Sequence, residues 1–189
     1  RLLSCDLLKT NDFETFPSFS PDGKTLYFSS SAFKSIPQEY KEVRYNLCAI
    51  AFDPDSGTFG DKVDTLVNAA VIGKSISYGR PSPDGKYIMF TLSDYGNFSI
   101  WHKEANLWLL NLEDGSLKEL TDVNSPDVES YHSWSSEGFW FVFSSRRLDG
   151  LYTRLFLAGI SRDGTVSKPF LLPQKDPFEC YDASFFSYN

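Results

Sequence analysis

The sequence has few of the residues that build metal and redox sites. Its 189 residues include three cysteines and two histidines. Cys5, Cys48 and Cys180 lie far apart and form no Cys-x-x-Cys pair, so neither a zinc ribbon nor a thioredoxin-type site is supported. Two interpretations of the cysteines stay open: one disulfide with a third cysteine left over, or three buried thiols. We expect this chain to hold no metal and no cofactor.

Long apolar runs and an excess of positive charge are also absent. No run of 18 apolar residues occurs, so we expect no membrane insertion. The formal net charge of −7 argues against nucleic acid or an anionic membrane as a partner. The chain begins at Arg1 rather than at Met, and we expect it to be a piece of a longer protein.

Local catalytic motifs are missing as well. The sequence contains no Gly-x-Ser-x-Gly elbow, no His-Glu-x-x-His, no phosphate-binding P-loop and no Gly-x-Gly-x-x-Gly. We therefore expect no catalytic residue in this chain.

What the sequence does contain is a repeated turn. Ser-Pro-Asp-Gly occupies residues 20–23 and 82–85, and the degraded copy Ser-Ser-Glu-Gly occupies residues 135–138. Each copy lies between two short apolar runs, and an aromatic content of 16% favours strands. Proline suits the second position of a type I turn and glycine the fourth. A hairpin that recurs three times predicts a repeat architecture.

Two more strand candidates follow each hairpin, so each unit has the four strands of a propeller blade. The fold class predicted is all-β, a β-propeller segment of about three four-stranded antiparallel blades. The predicted blades are residues 13–70, 75–124 and 129–173.

Three blades do not close a ring. We therefore predict that the segment is part of a larger propeller, or that it self-associates through open blade edges. Residues 1–12 and 176–189 are interpreted as partial blades or terminal extensions. Residues 2–8 could be the last strand of a preceding blade. Residues 178–189 could start a fourth blade, and residues 176–179 could instead open a short helix.

Two insertions, residues 31–44 and 95–103, are rich in aromatic residues, and the first could hold a helical turn. Long loops on a rigid scaffold often carry function. Trp101 and His102 stand among charged residues in the second insertion. We weigh two interpretations equally: a binding hot spot, or a lid folded over its own blade.

A second candidate group lies near the predicted channel. Tyr131 and His132 belong to a predicted innermost strand, and Arg80 and Arg147 could point toward the same region. Such a group could bind an anionic ligand. The alternative, which we favour, is that His132 packs and hydrogen-bonds within the channel wall.

Charged residues at turns form the third group of candidates. Arg146 and Arg147 could clamp a carboxylate of a partner chain. A structural ion pair with Asp149 or with a neighbouring blade is the interpretation we favour. Asp22 and Asp84 lack the several oxygen ligands that calcium needs, so they are expected to stabilise their turns.

The run Phe-Pro-Ser-Phe-Ser-Pro-Asp-Gly-Lys-Thr-Leu-Tyr-Phe at residues 16–28 resembles the PD40, or WD40-like, repeats of TolB-type propellers. It recurs at residues 80–90 and weakly at residues 132–143, where Ser136 and Glu137 replace the proline and aspartate. Residues 40–46, 94–104 and 144–154 look like a group of TolB-like proteins of Bacteroides-type bacteria. The resemblance implies a periplasmic or secreted protein with a protein-binding role.

Similar repeats form the propeller of prolyl-oligopeptidase-type peptidases, where the propeller gates a separate hydrolase domain. Our main hypothesis is a non-catalytic protein-binding or scaffold module of a bacterial envelope protein. The alternative is an accessory propeller of a larger enzyme, either a peptidase or a polysaccharide-processing enzyme. A third hypothesis is a structural piece whose blade edges mediate assembly.

Overall fold

A computed structural model describes residues 4–176 as three four-stranded antiparallel sheets, each with its strands in sequence order. We call them blades 1, 2 and 3. Blade 1 contains β1 (Phe13–Phe19), β2 (Thr25–Ser31), β3 (Asn46–Asp53) and β4 (Thr58–Val67). Blade 2 contains β5 (Ser75–Pro81), β6 (Tyr87–Ser93), β7 (Asn106–Asn111) and β8 (Leu117–Glu119). Blade 3 contains β9 (Glu129–Trp134), β10 (Trp140–Ser145), β11 (Arg154–Gly159) and β12 (Phe170–Leu171). The predicted all-β architecture is confirmed.

The repeated turn closes the first hairpin of each blade. In blade 1 the Oγ of Ser20 donates to Asp22 Oδ1 over 2.5 Å, and the backbone N–H of Lys24 donates to the same oxygen over 3.0 Å. Gly23 has a φ of 72°, which glycine adopts without steric cost. These hydrogen bonds lower the pKa of Asp22, that from Ser20 contributing most. The aspartate therefore stabilises its turn.

Helical structure among residues 4–176 is confined to single turns. The α-helix α1 (Ala69–Ile72) is capped by Asn68, whose Oδ1 accepts from the backbone N–H groups of Ala70 and Val71. Three 3-10 helices are present, Asp6–Leu8, Tyr40–Glu42 and Ser99–Trp101. The helical turn expected in the first insertion is therefore present. In the described part of the chain, no helix has both the length and the apolar character to cross a membrane.

The apolar core lies between consecutive blades rather than inside any one of them. We call each such contact a seam. At the first seam Tyr27 and Leu47 of blade 1 belong to one buried cluster with Phe90 of blade 2. At the second seam Met89 of blade 2 packs in a cluster with Phe143 of blade 3. Most strands therefore bury residues on both faces, which explains the apolar residues on both faces of strands such as β7.

The segment before β1 differs from one of our expectations. Within residues 4–8 we find the 3-10 helix Asp6–Leu8 and no strand. Cys5 and Leu8 pack on a buried cluster that contains Phe28 and Cys48, so the segment covers the outer side of blade 1. Cys5 and Cys48 are free thiols. Cys180 and the predictions for residues 178–189 lie outside the described residues.

Candidate functional site

The connections between the second and third strands of the three blades lie at one end of the molecule, which we call the loop face. They comprise residues 32–45, 94–105 and 146–153. Successive loops touch each other. The side-chain amide of Asn97 donates to the Tyr40 carbonyl over 3.1 Å, and the backbone N–H of Gly96 donates to the Val43 carbonyl over 2.8 Å. Each loop thus supports the next around the arc of blades.

Trp101 reaches from blade 2 to blade 3. The Arg146 guanidinium lies 3.8 Å from the centre of the Trp101 ring, and its Nε donates to Thr153 Oγ1 over 3.3 Å. The Trp101 side chain nevertheless stays 59% exposed. The structure therefore places the Trp101 ring against Arg146 of the neighbouring blade. Phe98, at the start of the same helical turn, is also exposed.

A row of aromatic rings, each tilted against the next, crosses the innermost strands of all three blades. The rings of Phe16 and Tyr78 are 4.2 Å apart between centres, and those of Tyr78 and Tyr131 are 4.8 Å apart. Each residue stands four positions before the serine that opens its turn. Sequence analysis identified only Tyr131, although this spacing was visible in every copy of the repeat.

The backbone of each residue in this aromatic row is strained. Phe16, Tyr78 and Tyr131 have φ values of 53°, 58° and 47°, and each lies at a break in strand register. A bulge of this kind re-aims a side chain, at a cost of about 1–2 kcal/mol for an L-residue in the left-handed region. Burial, followed by hydrogen bonding with Tyr131, raises the pKa of Tyr78, so its hydroxyl stays protonated.

Three of the predicted site residues meet at one small cavity. Trp101, Tyr131 and Arg146 line a space of about 30 Å³ together with Ser144. This volume accommodates a water molecule or a small functional group but not a whole substrate. The part of the candidate site that a ligand can reach is therefore the corner of the loop face formed by Trp101, Tyr131 and Arg146.

His132 lies inside the second seam. Its Nε2 is 2.8 Å from the Met89 carbonyl oxygen, and its Nδ1 is buried with no hydrogen-bond partner among the described residues. Burial lowers the pKa of His132 to about 4, and the nearby charge of Arg80 acts in the same direction. The imidazole is therefore neutral near pH 7 and joins two blades.

Arg80, in the first strand of blade 2, is exposed and contacts both neighbouring blades. Its Nη1 donates to the Pro17 carbonyl over 3.4 Å, and its own carbonyl accepts from Trp134 Nε1 over 3.0 Å. Arg80 is thus near His132 but is not one of the residues that line the Trp101 cavity.

Arg147 forms a buried ion pair with a residue that sequence analysis missed. Its Nη2 lies 2.9 Å from Glu129 Oε1, and Glu129 is fully buried. Glu129 also accepts from the hydroxyls of Ser125 and Ser145. Burial raises the pKa of Glu129 and lowers that of Arg147, so desolvation opposes the charged form of both groups. The expected ion pair with Asp149 is instead made by Arg154.

His102 holds the second insertion together. Its ring centre is 4.0 Å from that of Tyr95, and its Nδ1 is 3.3 Å from Glu104 Oε1. His102 is 7% exposed. It is therefore buried in the loop, whereas the adjacent Trp101 is open to solvent.

Comparison with known proteins shows the fold but no family. No protein-family model matches the sequence, and no curated protein matches it either. The TolB-type interpretation therefore stays a prediction.

Solved structures do match. A Mycobacterium tuberculosis puromycin-hydrolyzing peptidase has a TM-score of 0.60 and 15% identity, over 87% of this chain and 24% of that chain. An oligogalacturonate lyase in complex with manganese has a TM-score of 0.60 and 9% identity, over 88% of this chain and 44% of that chain. Prolyl oligopeptidase B from Galerina marginata has a TM-score of 0.51 and 12% identity, over 90% of this chain and 24% of that chain.

These similarities show the fold of the chain. The three sheets match propeller blades, and the chain is distantly similar in structure to propellers of prolyl-oligopeptidase-type peptidases and of other proteins. The chain spans less than half the length of each of the three solved structures. At these identities the likeness concerns the fold alone.

Proposed function

We propose that this chain is a non-catalytic propeller module of a larger enzyme and that its loop face is approached by the substrate of that enzyme. Support comes from two peptidases and a lyase that share its fold although the chain covers only 24–44% of their lengths. The prolyl oligopeptidase B from Galerina marginata is bound to a 35-residue substrate for hydrolysis and macrocyclization. A long substrate of this kind is large enough to contact a surface beside a catalytic domain.

The observation that carries the proposal is the exposed Trp101–Arg146 pair. Tryptophan and arginine are the residues most enriched at binding hot spots. Arg146 makes no ion pair with any residue in the 4–176 range, so its guanidinium can donate hydrogen bonds to a carboxylate or a carbonyl oxygen of a ligand. Tyr131, beside this pair, adds a second aromatic surface.

The proposal is tested with the intact protein that contains this chain. Trp101→Ala and Arg146→Ala are assayed on long peptides or oligosaccharides and on a short chromogenic substrate. We expect KM for the long substrates to rise about tenfold, as the loss of roughly 1–2 kcal/mol of binding implies, while kcat on the short substrate is unchanged.

Phe139 and Arg162 provide a matched control. They form a similar cation–π pair, with 5.9 Å between the guanidinium and the ring centre, at the opposite end of the molecule. Phe139→Ala should leave both substrates unaffected. An intact protein without activity on peptides or oligosaccharides, or a Trp101→Ala variant that slows short and long substrates equally, would contradict the proposal.

The PD40-like repeats favour a second candidate function, a protein-binding module in the periplasm or outside the cell. The same exposed Trp101 would then contact a protein partner. Pull-down with the intact protein from periplasmic and secreted fractions tests this candidate. The partner should be lost with Trp101→Ala and retained with Phe139→Ala, and a partner that both variants retain would refute the assignment of this surface.

A further inference from the structure

The repeat makes it possible to compare equivalent faces of the three blades. We define the trailing face of a blade as the face that packs on the following blade. Its members are the residues seven and nine positions after the turn serine, together with the two residues that pair with them on the third strand of the blade. These are Tyr27, Ser29, Leu47 and Ala49 in blade 1, Met89, Thr91, Leu107 and Leu109 in blade 2, and Val142, Ser144, Leu155 and Leu157 in blade 3.

The first two trailing faces are buried and the third is not. All eight of their residues are at most 8% exposed, because the next blade covers them. In blade 3 the equivalent Val142, Leu155 and Leu157 are only half-buried, although the face is just as apolar. Trp140 and Phe170 flank them, 48% and 46% exposed, with 6.2 Å between ring centres. An apolar surface of this kind marks a contact site.

A buried hydroxyl on the same face lacks a partner. In blade 1 the Ser29 Oγ donates across the seam to the carbonyl of Ile76, in the first strand of blade 2, over 3.0 Å. Ser144 is the equivalent residue of blade 3. It is 2% exposed, and its Oγ has no hydrogen-bond partner among residues 4–176. Thr91 makes no such bond either, and at that seam His132 contacts the Met89 carbonyl instead.

The opposite end of the arc is closed. The face of blade 1 that would meet a preceding blade presents Phe28 and Cys48, and Cys5 and Leu8 pack on it. No equivalent cover lies on blade 3 among the described residues. Among residues 4–176 the two ends of the arc therefore differ: a segment covers that face of blade 1, and none covers the trailing face of blade 3.

We propose that the trailing face of blade 3 is the docking surface for a further blade of the same repeat. The leading face of a blade is the face that packs on the preceding blade. The three leading faces show which residues the docking blade should present. Each carries two large apolar residues, six and eight positions after its turn serine: Leu26 and Phe28, Ile88 and Phe90, or Phe141 and Phe143. The docking blade presents such a pair to Leu155 and Leu157, and a carbonyl of its first strand accepts from Ser144.

Blade 1 itself provides the probe for a test. Deleting residues 1–9 removes Cys5 and Leu8 and uncovers its leading face. The exposed leading face of one copy should then dock on the trailing face of blade 3 of another copy, and sedimentation velocity should show concentration-dependent oligomers. Leu157→Asp in the deleted chain should weaken this association about a hundredfold, because a charge would be buried at the contact. Ser144→Ala should weaken it about fivefold.

Val71→Asp is the matched control. Val71 is 82% exposed and lies in α1, away from the trailing face of blade 3, so this variant should associate like the deleted chain. Circular dichroism of the deleted chain and of its Leu157→Asp variant checks that both still fold. A folded deletion variant that stays monomeric, or oligomers that Leu157→Asp leaves intact, would overturn the proposal. So would association that also requires removal of residues 177–189, since these would then occupy the face.

Discussion

His132 should make the free energy of unfolding depend on pH. In the folded protein, burial lowers the pKa of this imidazole from the ordinary value of 6.5 to about 4. Between these two values the unfolded chain binds a proton that the folded protein does not bind. The free energy of unfolding therefore decreases as the pH falls from about 6.5 to about 4, and the contribution of His132 is fully present above that range.

The magnitude follows from the two pKa values. Their difference of about 2.5 corresponds to about 3 kcal/mol of unfolding free energy at pH 4 relative to pH 7. Glu129 changes the free energy of unfolding in the opposite direction. Burial raises the pKa of Glu129, so its contribution to that free energy is lost as the pH rises. A comparison of two proteins that both contain Glu129 removes this second effect.

Urea unfolding at several pH values between 4 and 7 measures the effect. His132→Gln preserves an N–H donor toward the Met89 carbonyl but does not titrate, so its stability should fall by about 3 kcal/mol less than that of the wild type across this range. Trp134→Phe is the control. It removes the bond from Trp134 Nε1 to the Arg80 carbonyl at the same seam, and should cost about 1 kcal/mol at every pH. Equal pH dependence in the wild type and His132→Gln would refute the reasoning.

Three further predictions concern single contacts. Arg147→Ala leaves a buried carboxylate unpaired and should cost about 3 kcal/mol or more in urea unfolding; a cost below about 1 kcal/mol would show that the pair is dispensable. Trp101→Ala should cost about 1 kcal/mol or less, and a double-mutant cycle with Arg146→Ala should give a coupling of about 0.5–1 kcal/mol; zero coupling would contradict the cation–π contact. Gly79→Ala places a Cβ 2.8 Å from the Leu47 Cδ1 and should cost about 1–3 kcal/mol, and Leu47→Ala should relieve part of that cost; strictly additive effects would contradict the clash.

The strands and turns were predictable because their signals are local. Proline, aspartate and glycine at 21–23 and 83–85 specify the turn chemistry, and short apolar runs on each side predict the paired strands. The antiparallel pairing of the first two strands of each blade then follows from the short connection between them.

The contacts of the candidate site were less predictable because they depend on how blades pack. Arg147 and Glu129 are 18 positions apart, and the register that sets Glu129 opposite Ser145, two residues before Arg147, brings them together. The path of the second insertion carries Trp101 onto blade 3, and no local pattern specifies that path. The left-handed conformation of Tyr78 opposes the usual preference of an aromatic residue, so propensity alone argues against it.

A structure of the full-length protein tests the central claim most directly. Our account predicts a four-stranded blade on the trailing face of blade 3, with the Ser144 Oγ donating to a carbonyl in the first strand of that blade. It also predicts that the Trp101–Arg146 pair stays open to the substrate or partner. A structure in which solvent or residues 177–189 cover Leu155 and Leu157 would contradict the account.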